Sequence, residues 1–223
     1  MAPPSSQAIV SALLDQHGRT YAAEIGFDPT RGTPSRLFRL LCASLLFSTR
    51  ISADIAVRAA QALASQGWTT AERLAASTWE QRAKTLNESG YARYDERTST
   101  MLGDTAELLL ERYSGDLRKL RARAERDPTE ERRLLKQCKG IGDVGVDIFF
   151  REVQGAWDEL YPFLDRRARR HADALGLSDD PEQLAGLVDR ADFPRLAAAL
   201  VRTSNAATRD AVLQAAGERY EEG

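Results

Sequence analysis

Cysteine is scarce in this chain: Cys42 and Cys138 are the only two among 223 residues. Two thiols cannot build a disulfide framework or an all-cysteine iron–sulfur cluster. Both are expected to be reduced and packed as small hydrophobes. Histidine is equally scarce, and His17 and His171 lack the spacing of a metal pair or a nucleophile triad, so both are expected to be structural. Long apolar runs are missing too. The longest, Leu196 to Val201, is far too short to span a bilayer. The start, Met1-Ala2-Pro3-Pro4-Ser5-Ser6, lacks the basic and apolar regions of a signal peptide and is expected to be disordered. A cytoplasmic, monomeric protein with no membrane partner is expected. Excess charge of one sign is also lacking, since the formal net charge is −2, and the whole chain is not a generally basic polyanion binder.

Charge is nevertheless unevenly spread. From Arg112 to Lys139 there are ten basic and five acidic residues, a local net of +5. A second cluster is Arg166-Arg167-Ala168-Arg169-Arg170-His171. A local basic face is what nucleic-acid contact requires, although solvated helix faces have the same composition.

No stretch shows the alternation of a strand, whereas apolar residues recur at helical spacing between Gly and Pro punctuation. The chain is therefore expected to be all-α, with roughly ten helices. Ser5 or Ser6 caps a first helix that Gly18 ends, and a loop through Gly26 and Gly32 follows. Thr33-Pro34 opens a helix apolar over most of its surface from Leu37 to Leu46, so it is expected to be central and buried. Ser52 starts the next helix and Gly67 stops it; Thr70 and Ser77 start short ones. After a break at Ser89-Gly90, a longer helix runs to Tyr113, and Ser114-Gly115 ends it. Asp116 opens a short basic segment, and Pro128 begins the next helix. An irregular piece from Gln154 to Pro162 precedes a helix opened by Leu164-Asp165. Helical stretches near 181–190, 192–203 and 205–219 close the chain.

The most informative stretch is Leu134 to Phe150. It reads as helix, tight turn, helix, with Gly140 and Gly142 flanking Ile141. Glycine permits a positive φ and close backbone approach. The second helix begins with N–H groups that it cannot pair internally, and such a terminus attracts phosphate. The pattern resembles a helix–hairpin–helix, although glycine turns between structural helices look the same.

Four segments in order resemble one family. Ala43-Ser44-Leu45-Leu46-Phe47-Ser48-Thr49-Arg50 is similar to the early buried helix and turn of endonuclease III-type DNA glycosylases. Ser114-Gly115-Asp116-Leu117 resembles their approach to the hairpin, and Cys138 to Val146 resembles the hairpin itself. Leu164-Asp165 resembles the loop that presents their catalytic aspartate. The resemblance spans most of residues 34–176 and implies membership of the helix–hairpin–helix DNA glycosylase superfamily. It implies two helical lobes: a six-helix barrel over 34–150, and a second lobe from 1–33 and 151–223.

What the resemblance implies for function is specific. The partner is double-stranded DNA carrying a damaged or mismatched base. Asp165 is the catalytic carboxylate, kept ionised by neighbouring Arg166; Asp147 is a rival carboxylate, and an N-cap role for Asp165 is the structural alternative. Lys139, Gly140, Ile141, Gly142 and Val144 form the hairpin's DNA contact, with Arg166 close to the aspartate. Arg50 fills the gap left by the flipped base, or is simply an exposed loop residue. Tyr91 and Tyr94 line the base pocket or pack in the core. Trp157 is another possible pocket residue, while Trp68 and Trp79 are packing residues. A monovalent cation at hairpin carbonyls is implied, but no iron–sulfur cluster.

The chain departs from the family pattern at Cys138 and Lys139. It also departs at Val144, which occupies the position of the lyase lysine. Valine cannot form a Schiff base, so a monofunctional glycosylase is expected, unless Lys136 or Lys139 substitutes. The alternative is a catalytically silent DNA-binding protein that keeps the hairpin as a phosphate grip.

Overall fold

The computed structural model describes residues 4–221, and the first three residues of the start expected to be disordered lie outside the described residues. No strand occurs among the described residues, and the fold is all-α. The helices, in chain order, are α1 (Ser6–His17), α2 (Tyr21–Ile25), α3 (Pro34–Phe47), α4 (Ala53–Ser65), α5 (Ala71–Ala75), α6 (Trp79–Leu86) and α7 (Asp95–Tyr113). Then follow α8 (Leu117–Arg123), α9 (Pro128–Leu135), α10 (Asp143–Val153), α11 (Arg166–Ala174), α12 (Pro181–Ala185), α13 (Phe193–Arg202) and α14 (Ala206–Glu221). They divide into two compact units. The central unit is Ala22–Glu159, and the terminal unit joins Met1–Tyr21 to Leu160–Gly223.

Helix α3 organises the central unit. Its side chains from Leu37 to Leu46, except Arg39, are buried, and α4, α7, α8 and α10 pack around it. Each fully buried leucine contributes about 1.5–3 kcal/mol, so a helix apolar on nearly all sides has its favourable place only at a centre. In the terminal unit α1 packs on α13 and α14, and α11 packs on α13. Ile9 and Leu13 of α1, Ala168 and Ala172 of α11, and Leu196 and Leu200 of α13 share one core.

Several helix starts are set by side-chain caps. Ser5, Thr70, Asp116 and Asp127 each accept a first-turn N–H, satisfying donors that the helix leaves unpaired. Helix α6 starts one residue later than Ser77: Thr78 is the cap, and Gln81 bonds back to it in a capping box. The expected helix over 181–190 ends at Ala185, with a 3₁₀ turn at Arg190–Asp192. The loop expected after Gly18 instead contains α2 and a 3₁₀ turn at Pro29–Arg31.

A buried polar cluster ties α8 and α9 to the end of the central unit. Glu159 receives Arg121 in a forked ion pair, Nε to Oε1 at 2.6 Å. The Arg121 guanidinium also lies 5.6 Å from the centroid of the Trp157 ring. Glu131 of α9 is wholly buried. Burial first, then the neighbouring Glu159 carboxylate, push its pKa to about 9. Glu131 is thus a neutral acid at pH 7, able to donate its proton to the Glu159 carboxylate. In the unfolded chain it ionises near its ordinary 4.5. The folded state therefore holds more protons between that value and about 9, and this site loses stability as pH rises through the window. Glu131→Gln keeps a neutral donor without the proton. It is expected to raise the melting temperature relative to wild type, increasingly from pH 5 to pH 8, in thermal unfolding measured across pH.

Candidate functional site

The expected hairpin is present in the central unit: α9, a turn over residues 136–142, and α10. Gly140 takes a φ of +86°, and a β-carbon there would lie 2.5 Å from the Met101 sulfur. The left-handed backbone conformation favours glycine, and a β-carbon would displace the end of the flexible Met101 side chain. Ile141 is buried, and its N–H already bonds the Cys138 carbonyl at 3.0 Å. It is therefore a hydrophobic anchor of the turn, and its amide is not the phosphate donor expected of it. Helix α10 begins on Gly142, which has no side chain with which to cap it. Its first-turn N–H groups, those of Asp143, Val144 and Gly145, are the ones an α-helix leaves without internal partners. A β-carbon on Gly145 would stand 2.8 Å from the Ser48 Oγ, so α10 seats closely on the end of α3.

Charges surround this helix start. Lys136 Nζ lies 2.8 Å from Asp143 Oδ1, and Arg132 pairs with Asp147 at 2.6 Å while stacking 5.1 Å from Phe150. Asp147 is thereby engaged with the hairpin's own arginine. Lys139 pairs with Asp104 at 2.8 Å, and this carboxylate pushes the lysine's pKa upward. Val144 is 61% exposed, an unusual position for a large aliphatic side chain.

Beside the turn lies a cavity of about 280 Å³ lined by Ser48, Thr49, Arg50, Tyr94, Arg97, Thr98, Met101 and Gly140. It brings together Arg50, Tyr94 and Gly140, three of the residues singled out from sequence. Arg97, Thr98 and Met101 were not foreseen there. Their spacing from Tyr94, at i+3, i+4 and i+7, is that of one helix face, and this was the available signal. Thr98 is fully buried, and its hydroxyl has no hydrogen-bond partner among the described residues.

Tyr91 and Trp157 lie elsewhere. The chain breaks at Ser89-Gly90 as expected: a π-type turn over Asn87–Tyr91 kinks at Gly90, whose φ is +91°. Tyr91 points into the core, fully buried, and donates its hydroxyl to the Leu46 carbonyl at 2.9 Å. Burial raises its pKa. Trp157 is 1% exposed and meets Phe149 edge to face, with centroids 5.3 Å apart. Neither ring is available to stack on a base. Trp79, by contrast, is partly exposed and bonds Thr100 at 3.0 Å.

In the terminal unit Asp165 caps α11. Its Oδ1 accepts the Arg167 and Ala168 N–H groups at 2.8 and 3.0 Å. The side chain belongs to a residue only 5% exposed. Arg166, immediately after it, is exposed. His171 bonds the Leu200 carbonyl through Nδ1 at 2.8 Å and is buried, as expected of a structural histidine. Cys42 and Cys138 are buried free thiols, and burial pushes the Cys138 pKa to about 12 and raises that of Cys42. No cluster of three His, Cys, Asp or Glu suited to a metal occurs among the described residues.

Two forces hold glycine at 140, and they are separable. Gly140→Ala is expected to destabilise by about 1–2 kcal/mol from the left-handed φ alone, plus the displacement of Met101. Adding Met101→Ala should relieve the second part only. A double-mutant cycle in urea unfolding measures both.

No protein-family model and no curated protein matches the chain. Among solved structures it is similar to one described as a trapped endonuclease III–DNA covalent intermediate, the estranged-adenine complex. The two are 17% identical, with 75% of this chain and 73% of that chain covered and a TM-score of 0.49. At that distance the likeness carries no weight beside the residues themselves.

Proposed function

We propose that the protein is a DNA base-excision glycosylase without lyase activity, acting on a damaged or mismatched base extruded from duplex DNA. The observation that carries this reading is the fixed carboxylate of Asp165. Breaking an N-glycosidic bond builds positive charge on the sugar, and a preorganised carboxylate stabilises that charge and can activate the attacking water. Asp165 is acceptor-only when ionised, is held by two amides, and has little solvent exposure to weaken its field.

The other parts have matching roles. Extruding a base costs a few kcal/mol, and a grip on the backbone offsets it. The α10 start, with the Asp143, Val144 and Gly145 amides, holds one phosphate, and Lys139 adds charge beside it. Asp143 would oppose a phosphate there, but Lys136 offsets its charge in the free protein. A monovalent cation at the turn would draw on its carbonyl oxygens; the Cys138 carbonyl already accepts one N–H, and its second lone pair is open to such an ion. The cavity bounded by Arg50, Tyr94 and Arg97 is the candidate for holding displaced base or backbone.

Monofunctional chemistry is supported by the lysines as well as by Val144. A Schiff-base lysine must reach its neutral form, which burial or a nearby cation promotes. Lys139 experiences the opposite, an exposed site with a carboxylate that raises its pKa, and Lys136 is paired to Asp143. A second reading, a silent DNA-binding protein, is favoured by Asp143 at the phosphate position.

The test is base release from duplexes carrying deaminated, oxidised, alkylated or mismatched bases. Strand scission at one lesion class only after hot alkali, with no borohydride-trapped adduct, is the expected result. Scission without alkali, together with a trapped adduct, would assign a lysine as lyase residue. Binding without release from every duplex would select the silent binder.

A further inference from the structure

The two basic clusters are treated differently by the fold. Between Arg112 and Lys139 most cations have internal partners: Arg118 on Asp116, Arg121 on Glu159, Arg132 on Asp147, Arg133 on Glu130, Lys136 on Asp143 and Lys139 on Asp104. Helix α11 is the reverse. Arg166, Arg167, Arg169 and Arg170 are exposed, and among the described residues none has an ion pair. Arg169 makes a hydrogen bond, its Nε to the Leu164 carbonyl at 3.3 Å.

At 3.6 residues per turn the four side chains fall on one side of the helix, opposite buried Ala168 and Ala172. All four lie in its first five residues, where the helix dipole is positive and cations are unfavourable. No acidic residue occurs in that first turn, and Arg166 faces Arg169 and Arg170 at like-charge spacings of three and four. The field converges further. His171 has a lowered pKa, from burial first, and then from Arg167, Arg170 and Arg209 of α14. Asp165 at the helix start is one carboxylate against four arginines, and a bound polyanion would offset the rest.

We propose that the arginine face of α11 is a second DNA-backbone surface, carried by the terminal unit and separate from the hairpin of the central unit. It rests on the reading of the protein as a DNA enzyme and extends it: each unit has its own phosphate-binding surface. Arginine forks match phosphate oxygens bidentately, and several guanidiniums on one face suit the closely spaced charges of duplex DNA. An acidic protein partner would be the other outcome.

The experiment compares wild type, Arg167→Gln/Arg170→Gln and the hairpin variant Gly140→Ala, all as full chains, in binding to a fluorescein-labelled duplex across a salt series. Log K falls with log salt by about 0.9 per phosphate contacted. The arginine variant is expected to bind more weakly, with the slope shallower by about two. It is also expected to melt at a higher temperature than wild type, because like charges are relieved. A structural role for these arginines predicts the opposite thermal shift. An unchanged slope in a folded arginine variant, with binding still sensitive to Gly140→Ala, overturns this proposal and leaves the function reading standing. No salt-dependent DNA binding by wild type overturns both, and points to a protein partner for the arginine face.

Discussion

Two amide hydrogen bonds to one oxygen of Asp165 are the interaction from which the candidate chemistry follows. They do three things at once. They satisfy donors that the start of α11 cannot pair for itself, they set where α11 begins, and they hold a carboxylate without relying on a flexible salt bridge. Because α11 begins there, Ala168, His171 and Ala172 fall on the buried side and the arginines fall outward. Capping and catalysis are therefore compatible: the bonds that make the residue a good cap also keep its charge in one place. Electrostatic stabilisation of a developing cation gains most from a charge that need not reorganise.

The central unit solves a different problem, that of presenting a helix start. Helix α3 supplies an apolar axis, and α10 is seated on its end by the Gly145 approach to Ser48. The turn before α10 is closed by Ile141, buried and bonded to Cys138. Gly140 then passes so near Met101 that any side chain would push the Met101 thioether aside. The result is a turn whose outward surface carries backbone amides, Lys136, Lys139, exposed Val144 and Asp143.

Much of this was readable from residue order. Thr33-Pro34 and Pro128 mark helix starts because proline lacks an N–H just where none is needed. The run from Leu37 to Leu46 signals a central helix because it lacks a polar face. The glycine pair around Ile141 marks the hairpin turn, and Asp165 marks the start of α11. Other features were not readable. The Ser89-Gly90 pair marks the break between α6 and α7, but not that Tyr91 turns inward, where the Leu46 carbonyl and an apolar core accept it. Trp157 sits in a segment without periodicity, and its burial depends on Phe149 and Arg121, contacts that spacing does not encode. Nor can a count of basic residues show which are neutralised: Arg121 finds Glu159 far along the chain, whereas Arg166, Arg167, Arg169 and Arg170 form no ion pair among the described residues.

The most direct test of the central claim separates the charge of Asp165 from its cap. Asparagine caps helices about as well as aspartate, so Asp165→Asn retains an oxygen for the Arg167 and Ala168 amides while removing the carboxylate. The measurement is single-turnover base release from the responsive duplex by wild type and variant, alongside melting temperature and DNA affinity. A rate lower by about 10²–10⁴, with folding and binding close to wild type, is the result this account predicts. A rate unchanged in a well-folded Asp165→Asn protein would contradict it and assign Asp165 to capping alone.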